Sequence, residues 1–158
     1  MKNEDEIARM TVAAQVAAVG QQTARLLSVA GADELAVFGA VRSKMEQCAG
    51  IRIAFAGELL TGVERSSRLG ISIATREIHD GDPVICDLAP RVNGYWGDSC
   101  SAFVVGGAPE KDYERMYKAA HETLRLAVAE LRPGLRVCGF DASLREFMKG
   151  QGYAYLVG

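Results

Sequence analysis

Gly81-Asp82-Pro83-Val84-Ile85-Cys86-Asp87-Leu88-Ala89, followed by Asn93-Gly94-Tyr95-Trp96-Gly97-Asp98, reads as two strand-forming segments around a tight turn. Asn-Gly supplies the positive φ angles that a two-residue hairpin loop requires, so Pro83–Leu88 and Tyr95–Val105 are expected to pair antiparallel. Continuing the register outward from that loop places Asp87 opposite Cys100, with Asp98 as its diagonal neighbour on the same face. The same parity puts Cys86 and Cys100 on opposite faces, so no disulfide is expected between them.

Two ionised aspartates on one face of a hairpin repel each other unless a cation neutralises them or one takes up a proton. Oxygen ligands so placed suit a hard divalent cation, which makes Asp87 and Asp98 the candidate metal ligands. Spacing alone leaves a second option open, with Asp98 on a solvated edge and Asp87 in a polar interstice.

Working outward, residues from Glu4 to about Val29 contain no proline, and Ile7, Met10, Ala14, Ala17 or Ala18, Ala24 and Leu27 recur at helical spacing. Asp33 is placed to cap a second helix through Leu35, Phe38, Val41 and Met45, ending near Ala49-Gly50. Ile51, Ile53 and Phe55 alternate with Arg52 and Ala54 as in a half-buried strand, and Thr61 to Gly70 has loop composition. After the hairpin, Pro109 suits the first turn of a helix whose stripe is Tyr113, Tyr117, Ala120, Leu124, Ala127 and Leu131, expected to cover the sheet. A shorter helix through Phe140, Leu144, Phe147 and Met148 ends at Gly150, and Tyr153 to Val157 is expected to open another strand. The sum is one α+β unit, an antiparallel sheet with covering helices; the central hairpin argues against a doubly wound sheet.

The hairpin wording resembles the signature of the pita-bread metallohydrolases, the family of methionine aminopeptidase, aminopeptidase P, prolidase and creatinase. The likeness continues through Phe103-Val104-Val105-Gly106, Ala119-Ala120-His121-Glu122, Leu131-Arg132-Pro133-Gly134 and Phe147-Met148-Lys149-Gly150-Gln151-Gly152-Tyr153, and covers most of the chain from Arg76 onward. Glu6-Ile7-Ala8-Arg9-Met10 is similar to the start of such domains. The resemblance implies a dinuclear centre of manganese, cobalt, zinc or iron. In it Asp87 and Asp98 are the first two metal ligands, Asp98 bridges both ions, and a later histidine and two glutamates complete the shell. It implies hydrolysis of an amide near a peptide N-terminus, of the Xaa-Pro aminopeptidase or prolidase kind, and a homodimer.

The family's histidine ligand is expected immediately after Tyr155-Leu156-Val157-Gly158. Residues 1–158 are therefore expected to be the N-terminal portion of a single pita-bread catalytic domain, incomplete at its C-terminus. On this view the chain alone binds metal weakly or not at all and is inactive. His79, in a turn, and His121, on a long helix, are poor substitutes for the absent ligand. These peptidases also carry a substrate-contacting histidine on the loop that here reads Arg68-Leu69-Gly70-Ile71-Ser72. Its absence keeps two alternatives open: a creatinase-like hydrolase acting on a small non-peptide amide or amidine, and a non-catalytic module that binds peptides or protein partners. Arg65, Ser66, Ser67 and Arg68 offer an anion site or a solvated loop.

Composition limits the rest. At 158 residues, 49% hydrophobic and 24% charged, the chain has the make-up of one globular domain. A formal charge of −2 gives no basic footprint for nucleic acid or an anionic membrane. No apolar run approaches the roughly 20 residues that span a bilayer, and the acidic start Met1–Glu6 is unlike a secretory leader, so a cytoplasmic location is expected. Cys48, Cys86, Cys100 and Cys138 lack CxxC spacing, which argues against a zinc ribbon or dithiol motif. No phosphate-binding glycine loop is present.

Overall fold

The computed structural model describes residues 1–68 and 70–154, and its backbone contacts divide into two units, Met1–Ala108 and Pro109–Gly158. In the first unit, α1 (Glu4–Leu27) starts at a capping box: the Asn3 side chain accepts from the Glu6 amide while Glu6 accepts from the Asn3 amide. Helix α2 (Glu34–Ala49) is capped by the Asp33 carboxylate and stopped by Gly50 at φ 67°. Both helices run as the sequence predicts, but α1 turns a different face to the core. Its buried residues are Ala13, Val16, Ala17, Gly20 and Ala24, while Ile7 and Met10 are exposed. Close approach explains the choice of small residues: a Cβ on Gly20 would lie 2.6 Å from Met45 Sδ and 2.8 Å from Leu88 Cδ1.

Strand β1 (Ala54–Thr61) lies later than the Ile51–Phe55 alternation indicates, and Ile53 is buried just ahead of it. The reason is that Leu59, Leu60 and Thr61 are all buried, so this end of the strand lacks a two-residue period. A single helical turn, α3 (Val63–Ser66), begins the loop that follows.

Strand β2 (Pro83–Val92) is central. It pairs antiparallel with β1 on one side and with β3 (Tyr95–Trp96) and β4 (Ser99–Val104) on the other. The register is the one Asn93-Gly94 predicts: Val92 faces Tyr95, Asp87 faces Cys100 and Pro83 faces Val104. Asn93 and Gly94 have φ of 50° and 90°, the double left-handed turn that matches strand twist. Between β3 and β4 the ladder lapses at Gly97-Asp98, where the Gly97 amide still donates to Pro90 O at 2.9 Å. Helix α1 packs on β2 and β4, so the sheet has a helix-covered face carrying Cys86, Leu88 and Leu59 in the core with Val16, Val41 and Met45. Alternation sends Asp87 to the other face.

The second unit is a helical pair, α4 (Lys111–Glu130) and α5 (Val137–Gly150), packed on each other. In α4 the buried residues are Ala119 and Thr123, one position off the expected stripe, and Leu124 is exposed. In α5 Leu144 and Met148 are buried as expected. Tyr153 and Ala154 form no strand; the remainder of the strand expected there, Tyr155 to Val157, lies outside the described residues. Among the described residues no helix is long and apolar enough to cross a membrane.

Candidate metal centre

Asp87 sits mid-strand on β2, and Asp98 occupies the interruption between β3 and β4, where the backbone leaves the ladder. They line one cavity of about 310 Å³ together with Ala56, Gly57, Glu58 and Ala89. The hairpin therefore brings the two predicted ligands to one face of the sheet. Asp87 is half-buried and Asp98 exposed. Burial, and then the charge of Asp98, raises the Asp87 carboxyl above its ordinary value. A divalent cation between them would remove that penalty, and two carboxylates are oxygen donors suited to one.

Glu58, which carries no signal in the local sequence pattern, joins the two aspartates at the cavity. It faces Asp87 directly across the β1–β2 ladder and lines the same cavity. The Gly70 amide donates to Glu58 Oε1 at 3.1 Å, tying the loop after β1 to the sheet. Extending β1 to Thr61 and carrying the hairpin register one strand further finds it. The side-chain position of Gly57, opposite Leu88, turns away from the cavity; a Cβ there would lie 2.5 Å from Asp87 O and 3.0 Å from the Phe55 ring, so close backbone packing behind the cavity excludes any larger residue.

The donor set is partial. Among the described residues no group of three or more His, Cys, Asp and Glu is arranged to hold a metal ion. His79 is exposed, with Nδ1 3.8 Å from Asp82 Oδ2, and His121 stacks on Tyr117 on α4. Cys86 and Cys100 are free thiols; Cys86 is fully buried, and desolvation pushes its pKa up to about 12.

Of the loop arginines, Arg65 is committed to the scaffold. Arg65 Nη2 donates to Glu34 Oε1 at 2.6 Å and to Ser72 O at 3.0 Å, and Arg68 pairs with Glu64 at 3.3 Å. Glu34 is fully buried and also accepts from the Thr61 amide and hydroxyl, both at 2.8 Å. Arg76 bonds Asp82 at 2.7 Å and Thr61 Oγ1 at 2.6 Å. These contacts commit Arg65 and Arg76 to a buried polar network that anchors the loop beside the cavity, whereas Arg68 and Glu64 are both exposed and belong to the solvated loop.

Comparison with known proteins supplies the family and the fold. Metallopeptidase family M24 matches residues 8–158. Methionine aminopeptidase A of Synechocystis sp. is 29% identical over 100 residues, 63% of this chain and 39% of that protein. The methionine aminopeptidase of Mycoplasma capricolum is 26% identical over 94% of this chain and 61% of its own length. Prolidase from Pyrococcus furiosus superposes with a TM-score of 0.89 at 27% identity, covering 97% of this chain and 45% of its own. Escherichia coli aminopeptidase P, in complex with substrate, has the same fold, with a TM-score of 0.87 at 22% identity over 95% of this chain and 34% of its own. The chain thus spans less than two thirds of the length of these relatives. With the family match running from Ala8 to the last residue and the pita-bread fold shared with prolidase, the chain belongs to metallopeptidase family M24.

Proposed function

We propose that the protein to which these residues belong is a metal-dependent hydrolase of the amide bond nearest a peptide N-terminus, acting on Xaa-Pro peptides. The observation that carries this reading is the placement of Asp87 and Asp98 on one face of the β2–β4 hairpin around a common cavity. Two divalent ions of manganese, cobalt, zinc or iron held there would supply Lewis-acid polarisation of the scissile carbonyl and an activated water. Asp87 and Asp98 would hold the ions. Ala56, Gly57 and Ala89 leave room for substrate backbone to approach the sheet, and Glu58 adds a third carboxylate that favours cationic over anionic substrates.

Two carboxylates leave most of the coordination positions of two ions to water, so the 158-residue chain by itself binds metal weakly and does not turn over peptide. Equilibrium dialysis against millimolar manganese tests the ligand assignment: wild type retains metal, and Asp87→Asn and Asp98→Asn lose it. Assay of the same chain with excess manganese or cobalt on alanyl-proline and a proline-containing tripeptide is expected to give no product. Turnover that Asp98→Ala abolishes would contradict the donor count.

One observation favours a second reading. The segment from Gly62 to Thr75 contains no histidine, whereas peptide hydrolases of this family carry one on that loop. A small amide or amidine is the substrate that reading assigns. Supplying creatine and simple amidines beside the peptides to the full-length protein separates the two.

A further inference from the structure

Gln21 reaches the hairpin from the helix-covered side of the sheet, the face opposite the cavity. Its Nε2 donates to Cys86 O at 3.1 Å and to Ser99 O at 2.7 Å, and its Oε1 accepts from Ser101 Oγ. These partners bracket the two carboxylates: Cys86 precedes Asp87, Ser99 follows Asp98, and Ser101 faces Cys86 across the ladder. One side-chain amide is thus shared between the two strands that present the candidate ligands.

Packing does not ask for a glutamine here. The neighbouring core positions of α1 are Ala17, Gly20 and Ala24, and a half-buried amide costs free energy unless its groups are bonded. The ladder does ask for one. It lapses at Gly97-Asp98 and resumes at Ser99 opposite Leu88, so Asp98 is held on its N-terminal side by the Gly97 to Pro90 bond and on its C-terminal side by the resumed ladder, which the Gln21 to Ser99 bond reinforces.

We propose that Gln21 is a positioning residue of the metal centre, fixing the separation of Asp87 and Asp98 through the backbone behind them. This rests on the reading of Asp87 and Asp98 as metal ligands. Removing such support from a ligand typically costs about tenfold or more in metal affinity.

The test is a titration of the chain with cobalt(II), followed by its visible absorption, with circular dichroism confirming that every variant compared is folded. Gln21→Met keeps length and volume and removes the hydrogen bonds. It is expected to bind about tenfold more weakly than wild type with a shifted absorption band, a change in ligand geometry that loss of stability alone does not produce in folded protein. Should Gln21→Met not fold, Ser101→Ala, which only frees the amide to rotate, is expected to give a smaller shift in the same direction. A spectrum and affinity unchanged from wild type in the folded variant overturn the role of Gln21 and leave the ligand assignment standing. Cobalt that fails to bind wild type, or binds it equally well in Asp98→Asn, overturns the ligand assignment and the proposal with it.

Discussion

Replacing Glu34 by alanine tests the polar network that anchors the loop beside the cavity. The side chain is fully buried, with Oε2 accepting from Thr61 N and Oγ1 at 2.8 Å each, and Oε1 accepting from Arg65 Nη2 at 2.6 Å and Ala74 N at 3.3 Å. Alanine leaves the Thr61 amide without a partner where Thr61 itself is fully buried, at about 1–3 kcal/mol. It also strands the Arg65 charge, whose side chain is 24% exposed and recovers part of its hydration. The total is about 3–4 kcal/mol, at the lower end of what breaking a buried ion pair costs. With an m-value of about 2 kcal/mol/M, the urea midpoint falls by about 1.5–2 M at unchanged slope. Fluorescence of Trp96, the only tryptophan, follows the unit that contains the network. Glu34→Gln turns one amide N–H toward existing donors and is expected to fall in between. A midpoint shift below about 0.5 M for Glu34→Ala would refute the claim that these bonds hold the loop.

Gly20→Ala introduces a Cβ 2.6 Å from Met45 Sδ and is expected to destabilise by about 1–3 kcal/mol less the helix propensity gained, whereas Gly39→Ala, with nothing within 4 Å, should stabilise by up to about 1 kcal/mol. Paired urea titrations measure both. For Asp82, burial raises the carboxyl but the Arg76 guanidinium and the His79 amide outweigh it, so the net shift is downward. Its contribution is therefore present above about pH 4 and lost as pH falls through the lower folded value. The stability gap between wild type and Asp82→Asn should close in that acid window, and a gap unchanged from pH 7 to pH 3 would contradict the pairing. Ellman's reagent should label Cys48, Cys100 and Cys138 in the folded chain and reach fully buried Cys86 only with denaturant; fast labelling of Cys86 would contradict the sheet register.

What the sequence made legible were features set by local chemistry. Asn93-Gly94 fixes a turn type, the turn fixes a register that sets Asp87 opposite Cys100, and Asp98, in the gap of the ladder, lines the same cavity as Asp87. The Asp33 cap and the Gly50 stop are equally local. What was not legible depends on how elements approach one another. Gln21 and Glu34 look like ordinary helix-surface residues until α1 and α2 are docked, and α1 buries alanines and Gly20 rather than its larger Ile7 and Met10 because it lies so close to Met45 and Leu88. Glu58 escaped for a related reason. It belongs to a strand whose buried end, Leu59-Leu60-Thr61, lacks alternation, and its place opposite Asp87 appears only once β1 is paired.

Joint binding of divalent metal by Asp87 and Asp98 on the cavity face of the hairpin can be observed directly. Crystals of the chain grown in millimolar manganese, measured for anomalous scattering, test it most directly. An anomalous peak is expected in the cavity lined by Asp87, Asp98 and Glu58, within about 2.0–2.6 Å of carboxylate oxygens from both aspartates, and lost in Asp98→Asn. A fully occupied manganese site elsewhere with none between the two aspartates, or a structure in which their carboxylates point to opposite faces of the sheet, would contradict it.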